Sequence, residues 1–126
     1  MTDKHLVLYV EDNPPNMRLV EQILKQFPDS GFIGEATADV GIDVAEQRQP
    51  ELILMDVNLQ GMDGFQALAE LKRKETTRHI PVVAISANAM DTAVQRGLDT
   101  GFVSYLTKPF NLQEFILLIR TQLKLD

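Results

Sequence analysis

The chain reads as a single α/β domain built on a parallel sheet, and three observations predict it. Short apolar, β-rich runs alternate along the sequence with stretches whose apolar residues recur at i, i+3 and i+4. The runs are continuous rather than alternating, Leu52-Ile53-Leu54-Met55 above all, which suits strands buried on both faces. Several of them also end on an acid or a hydroxyl, and open α/β sheets keep their ligands in the crevice outside those carboxyl ends. Five strands alternating with five helices imply a doubly wound sheet joined by right-handed crossovers.

The first strand is Leu6-Val7-Leu8-Tyr9-Val10, ending on Glu11 and Asp12. Asn13 is placed to cap a helix whose first turn tolerates Pro14 and Pro15, because those backbone N–H groups would be unpaired in any case. Met17, Val20, Leu24 and Phe27, with Leu19 and Ile23, form its sheet-facing stripe until Pro28 to Gly31 stop it. Phe32 to Ala36 is a weaker second strand. A second helix runs from about Asp39, its N-cap candidate, to Gln49, with Ala38, Ile42 and Ala45 inward, and Pro50 ends it.

The third strand, ending at Asp56, leads into the turn Gly61-Met62-Asp63-Gly64, where Asp63 caps a helix carrying Phe65, Leu68 and Leu71 inward. Pro81 to Ser86 is the fourth strand. The fourth helix, Met90 to Thr100, is the most loosely specified: Gly97 lies inside it, and Met90, Ala93, Val94 and Leu98 make a thin apolar set. Phe102 to Leu106 is the fifth strand and Thr107-Lys108-Pro109-Phe110 a turn. Asn111 caps a last helix with Leu112, Phe115, Ile116, Ile119 and Leu123 on one stripe.

Composition bounds the function. With 126 residues there is room for one domain and a real core. A net charge of −6 and a pI near 4.8 disfavour nucleic acid as a direct partner, since phosphate backbones are bound through clustered Lys and Arg. There is no cysteine, hence no disulfide framework and no thiolate site. The amino-terminal stretch lacks an apolar signal region, and no apolar run approaches the roughly 20 residues of a membrane helix, so a cytoplasmic location without membrane insertion is expected.

Glu11, Asp12 and Asp56 reach one sheet edge from two strand ends. Gathering three carboxylates without a cation is costly, and a divalent ion resolves the conflict. Oxygen ligands alone, without cysteine or a usable histidine pair, point to Mg²⁺. The same ion would serve a hydrolase. Ser86 at the end of strand four and Lys108 at the end of strand five add a hydroxyl and an ammonium. Together these groups can surround a phosphoryl group on Asp56, with the carboxylate as nucleophile.

These residues, in this order and spacing, resemble the response-regulator receiver domains of two-component signalling along essentially the whole chain. The resemblance rests on the acidic pair Glu11-Asp12, on Asp56 with Gly61 and Gly64 behind it, and on Ser86-Ala87, Tyr105 and Lys108-Pro109. It implies a flavodoxin-like sheet of strand order 2-1-3-4-5, an order carried over from chemotaxis receivers and not obtained from the residues. It further implies Asp56 as phosphoacceptor, Asp12 as a direct Mg²⁺ ligand, Glu11 acting through water, Asn58 as a carbonyl ligand, and Lys108 as phosphate contact. Ser86 and Tyr105 become a switch pair that rearranges the face made by the fourth helix, fifth strand and fifth helix. Asn58, Ala87 and Asn88 flank the phosphate and influence its lifetime, and the Lys108-Pro109 bond is expected to be cis.

Two departures stand out. Gln60 occupies a place usually held by proline, and the acidic pair is Glu-Asp where many members have Asp-Asp. The two histidines, His5 and His79, are read as neither ligands nor phosphodonors. Leu117, Leu118 and Leu125 lie off the inward stripe and serve either as surface leucines or as a partner or homodimer contact, giving a monomer or weak homodimer.

The resulting expectation is a stand-alone receiver, not an enzyme in its own right, that takes its phosphoryl group from a histidine kinase or a histidine phosphotransfer protein and signals through protein contacts. Two alternatives stay open. One is a receiver from a hybrid histidine kinase, suggested by Ile85 to Met90 and Gly101-Phe102. The other is a Mg²⁺-dependent aspartyl-phosphate phosphatase, which would want an Asp where Asn58 stands. A flavin-binding domain fits worse, because Glu11-Asp12-Asn13-Pro14 would repel phosphate.

Overall fold

The computed structural model describes residues 5–59, 61–87, 90–109 and 111–124. Five strands, β1 (His5–Val10), β2 (Ser30–Glu35), β3 (Leu52–Asp56), β4 (Val82–Ser86) and β5 (Ser104–Thr107), form one parallel sheet in the order β2-β1-β3-β4-β5. Between and after them run α1 (Pro14–Leu24), α2 (Ala38–Arg48), α3 (Gly64–Arg73), α4 (Asp91–Thr100) and α5 (Leu112–Gln122). The fold class and the order implied by the resemblance are both found.

The continuous apolar runs explain the two-sided burial. Alternate residues of one strand feed opposite cores. Leu8, Val10, Ile53 and Met55 meet α2 and α3 on one face, while Val7, Tyr9, Leu52 and Leu54 meet α1 and α5 on the other. Every residue of β3 and β4 is buried, so the central strands have no solvent face. The caps at Asn13, Asp63 and Asn111 form as expected: each side chain accepts from a backbone N–H in the first turn of its helix. At Asp63 the Gln66 side chain also accepts from the Asp63 N–H, completing a capping box.

Several expectations need correction. Thr37, not Asp39, is the N-cap of α2, and Asp39 sits in the first turn, where its charge suits the helix dipole. β2 begins at Ser30 and ends at Glu35, two residues earlier than expected at its start, because His5 pairs with Ser30 across to β1. β4 begins at Val82, since Pro81 has no N–H for the ladder. β5 is shorter than expected and displaced toward Thr107: Phe102 is buried as a core residue ahead of the strand.

Among the helices, α1 closes at Leu24, although Phe27 remains buried beyond it. Leu19 is 47% exposed, being about 100° around the helix from Val20. Leu98 and Met90 are exposed, and buried Gly97 with half-buried Ala93 and Val94 supplies the inner side of α4. Leu112, in the first turn of α5, is exposed as well. Leu117 is exposed, whereas Leu118 packs partly into the core. Gln60, Asn88 and Leu125 lie outside the described residues.

Candidate functional site

The register of the sheet carries the site residues to one edge. Asp56 pairs with Ile85, and Ser86 with Thr107, so the carboxyl ends of β3, β4 and β5 step past one another. Backbone bonds extend the ladder beyond the strands: Glu11 N–H to Glu35 O at 2.9 Å, Val57 N–H to Ile85 O at 2.9 Å, and Lys108 N–H to Ser86 O at 2.8 Å. The backbone positions of Glu11, Asp56, Ser86 and Lys108 are thereby set by main-chain pairing.

The loop after Asp56 is tied down just as closely. Gly64 N–H donates to Val57 O at 3.1 Å, and a Cβ at Gly64 would stand 2.7 Å from Val57 Cα and 2.8 Å from Asp56 O. Only glycine permits that approach of α3 to the strand end. The Asn58 N–H donates to Asp56 Oδ1 at 2.9 Å, and Asn58 Nδ2 lies 3.4 Å from Ser86 Oγ.

Glu11, Asp56 and Ser86 are buried, Asp12 and Asn58 exposed. One oxygen from each of Glu11, Asp12 and Asp56 lies within 4.8 Å of the others. Lys108 Nζ donates to Glu11 Oε1 at 2.7 Å and to Asp56 Oδ2 at 3.2 Å, bridging the two buried acids. Burial opposes its charge, but the two carboxylates outweigh that and hold Lys108 above the ordinary lysine range.

The two acids are pushed apart. Burial and the neighbouring Glu11 raise Asp56 to about 6, against the opposing pull of the Asn58 N–H and Lys108. Burial would raise Glu11 too, but hydrogen bonds from Asp56, Lys108 and Tyr9 prevail and bring it down to about 2. A proton is therefore readily held at Asp56 while Glu11 stays charged. An all-oxygen group with two or more carboxylates suits a hard divalent cation such as Mg²⁺, which takes one or two carboxylates and keeps several waters. Such an ion would add positive charge beside Asp56 and further favour its ionised form.

Beside the acids, Val57, Asn58, Phe65, Ser86, Ala93, Arg96 and Tyr105 line a cavity of about 170 Å³. It joins the Asp56 edge to Tyr105, which is half-buried. Arg96 stacks its guanidinium 4.4 Å above the Phe65 ring, and Phe65 meets Phe102 edge-on at 5.6 Å. Ala87 follows Ser86 and is exposed at the rim. The Lys108-Pro109 peptide is cis. His5 pairs with Glu51 at 2.7 Å at the amino end of β1, and His79 is exposed ahead of β4.

Sequence reasoning missed Tyr9 and Asn16, which both donate to Glu11 Oε1, at 2.9 and 3.2 Å. A signal for Tyr9 was present: it is the one aromatic residue in an aliphatic strand, and a period of two puts it on the same side as Glu11.

The parallel sheet thus carries an acid cluster and a lysine together at its carboxyl edge. The family model for the response regulator receiver domain matches residues 7–120. This chain belongs to that family, the receiver domains of two-component signalling. It is 35% identical over 119 residues to the polar-differentiation response regulator DivK of Brucella ovis, covering 93% of this chain and 94% of that protein. Among solved structures it is similar to the receiver domain of sensor histidine kinase PA1611 from Pseudomonas aeruginosa PAO1, which has a magnesium ion coordinated in its active-site cleft. That match has 30% identity and a TM-score of 0.85, covering 95% of this chain and 98% of that one. The receiver domain of Francisella response regulator 1452 shares the fold at a TM-score of 0.87 and 21% identity, covering 96% and 98% of the two chains. Among the described residues no helix is long and apolar enough to cross a membrane.

Proposed function

We propose that this chain, one receiver unit over residues 1–126, accepts a phosphoryl group on Asp56 from a phosphohistidine of a histidine kinase or histidine phosphotransfer protein. One observation carries the reading above the others: Asp56 is buried at the end of β3, with carboxylate oxygens of Glu11 and Asp12 within 4.8 Å and Lys108 Nζ at 3.2 Å. A nucleophile, a set of metal ligands and a phosphate-neutralising cation converge there.

An Asp56 carboxylate oxygen attacks phosphorus in line, forming the O–P bond as the P–N bond of the donor breaks. The electron pair returns to the ring nitrogen, and the proton on the other nitrogen makes neutral imidazole the leaving group. Glu11, Asp12, Asp56 and the Asn58 carbonyl would hold Mg²⁺, whose charge offsets that of the transferring group. Lys108 moves its ammonium from the carboxylates to a phosphoryl oxygen, and Ser86 donates its hydroxyl to another. Ala87 and Asn58, together with Asn88, border the phosphate and control water access. Asn58 lacks the carboxyl that would act as acid and base for rapid hydrolysis, so the domain stores the group and does not turn it over as a phosphatase would.

Ser86 and Tyr105 line the same cavity, so drawing Ser86 toward the phosphate opens room for the ring. The α4-β5-α5 face then changes shape for a downstream protein in the cytoplasm, with the domain itself monomeric or weakly dimeric and without direct nucleic-acid contact. The same chemistry serves a receiver carried by a hybrid kinase, and the likeness to the Pseudomonas kinase receiver favours that second reading of its context. Intact-mass measurement with Mg²⁺ and a small acyl phosphate tests the chemistry. A phosphoryl adduct is expected in the wild type and lost in Asp56→Asn. No adduct, or one undiminished in the variant, refutes the proposal.

A further inference from the structure

Tyr9 is completely buried, and a phenol in a dry core needs a partner for its hydroxyl. Among the described residues that partner is Glu11, whose Oε1 lies 2.9 Å from the Tyr9 hydroxyl. A phenylalanine would fill the same space, so the hydroxyl serves Glu11 and not packing. Asn16 Nδ2, in the first turn of α1, donates to the same oxygen at 3.2 Å, as does Lys108 at 2.7 Å.

Among the described residues Glu11 Oε1 thus accepts three side-chain hydrogen bonds from Tyr9, Asn16 and Lys108, while Oε2 takes a long one of 3.4 Å from the Asn13 N–H. A glutamate has one more torsion than an aspartate, and without such restraint its carboxylate would sample several orientations at the sheet edge. We propose that Tyr9 is a positioning residue for metal binding: with Asn16 it fixes Oε1 inward and turns Oε2 toward the divalent cation or its water shell. The role is specific to glutamate at position 11, because an aspartate carboxylate, one methylene shorter, would not reach the Tyr9 hydroxyl. Lys108 does not substitute, since its ammonium is needed by the phosphoryl group.

This inference rests on the metal-assisted reading of Asp56, and its test is arranged to separate the two. Mg²⁺ affinity is measured by calorimetry without any phosphodonor on wild type, Tyr9→Phe, Asn16→Ala, Glu11→Asp and the Tyr9→Phe/Glu11→Asp double variant. Outer residues that orient metal ligands typically change affinity by about 10-fold or more. Tyr9→Phe is expected to weaken Mg²⁺ binding by about that factor, with Asn16→Ala weakening it less. In the Glu11→Asp background the Tyr9 change is expected to have almost no effect, as the coupling of two contacting residues requires. An unchanged affinity in Tyr9→Phe, or the same loss in both backgrounds, overturns the role of Tyr9. Should Tyr9→Phe not fold, Asn16→Ala, an exchange on α1 outside the core, decides through its own affinity: weakened binding supports the restraint of Oε1 and unchanged binding overturns it. No Mg²⁺ binding by the wild type would instead refute the reading of the site on which the inference rests.

Discussion

The ring of Tyr105 lies against the bare backbone of Gly97, so closely that a Cβ on Gly97 would stand 2.7 Å from Tyr105 Cδ2 and 3.0 Å from Cε2. Glycine inside a helix ordinarily costs about 1 kcal/mol relative to alanine, and the contact explains why α4 carries one. Gly97→Ala is expected to displace the ring and lower stability, since overpacking of about 1–3 kcal/mol outweighs the gain in helix propensity. In a Tyr105→Ala background the same exchange should stabilise by about 1 kcal/mol. Urea unfolding of the four proteins checks the reversal of sign, and a Tyr105 ring resonance unmoved by Gly97→Ala would contradict it.

Asp56→Asn is expected to stabilise the metal-free protein at pH 8. The folded state raises the Asp56 carboxyl from 3.8 to about 6, so it holds the proton more tightly than the unfolded chain. Ionising it therefore costs stability, progressively as pH rises from about 4 through 6, and the cost persists above. Glu11 has the opposite sign: lowered to about 2, it contributes stability above its ordinary range that is lost as pH falls from 4.5 toward 2. At about 1.4 kcal/mol per pH unit the Asp56 effect is at most about 3 kcal/mol. Urea midpoints of wild type and variant should converge as pH is lowered toward 4 and diverge at pH 8. On the proposed metal site, added Mg²⁺ should stabilise the folded wild type and close the gap. A variant less stable than wild type at pH 8 would overturn the account.

Removing the bridging ammonium gives a split outcome. Lys108→Met leaves Glu11 and Asp56 without their shared cation, so metal-free stability at pH 8 should fall by about 1–3 kcal/mol. Mg²⁺ affinity should hold or rise, because the ammonium no longer neutralises the same oxygens, while phosphoryl transfer to Asp56 becomes much slower. Calorimetry with Mg²⁺ and timed intact-mass measurement would show the two effects separating. A loss of Mg²⁺ binding in step with transfer would mean that Lys108 is structural to the metal site.

Asp63→Ala should cost about 1 kcal/mol through the lost capping box of α3, in which Asp63 Oδ1 accepts from Gln66 N–H at 2.9 Å. The exchange should leave Mg²⁺ affinity within twofold of wild type. A larger loss of Mg²⁺ affinity would tie the cap to the acid cluster.

The parts of this molecule visible in the sequence were those set by local chemistry. Apolar runs located β1, β3 and β4, since strands buried on both faces leave a dense hydrophobic signature. Asn13, Asp63 and Asn111 announced their helices because a cap is a local hydrogen bond. Asp39 was mistaken for a cap because an acid in the first turn and an acid at the cap answer the same helix dipole. Asp56, Glu11, Asp12 and Lys108 were found by their places at strand ends, and the structure does bring them together. Tyr9 and Asn16 were missed because their meaning lies in a shared contact with Glu11. Gly97 suffered likewise: sequence showed a flaw in a helix, and only the packing of Tyr105 supplies its reason.

The hydrogen bond from Gly64 N–H to Val57 O closes the loop after Asp56 upon itself, and the missing Cβ of Gly64 lets α3 abut the strand end. Opposite stands α4, whose inner side borders a cavity. The two helices thus meet the same edge differently, α3 in backbone contact with the strand end and α4 across a cavity. On the proposed phosphorylation of Asp56, displacement is therefore expected on the α4 side, where a cavity leaves room for it, and not on the α3 side, where backbone already meets backbone.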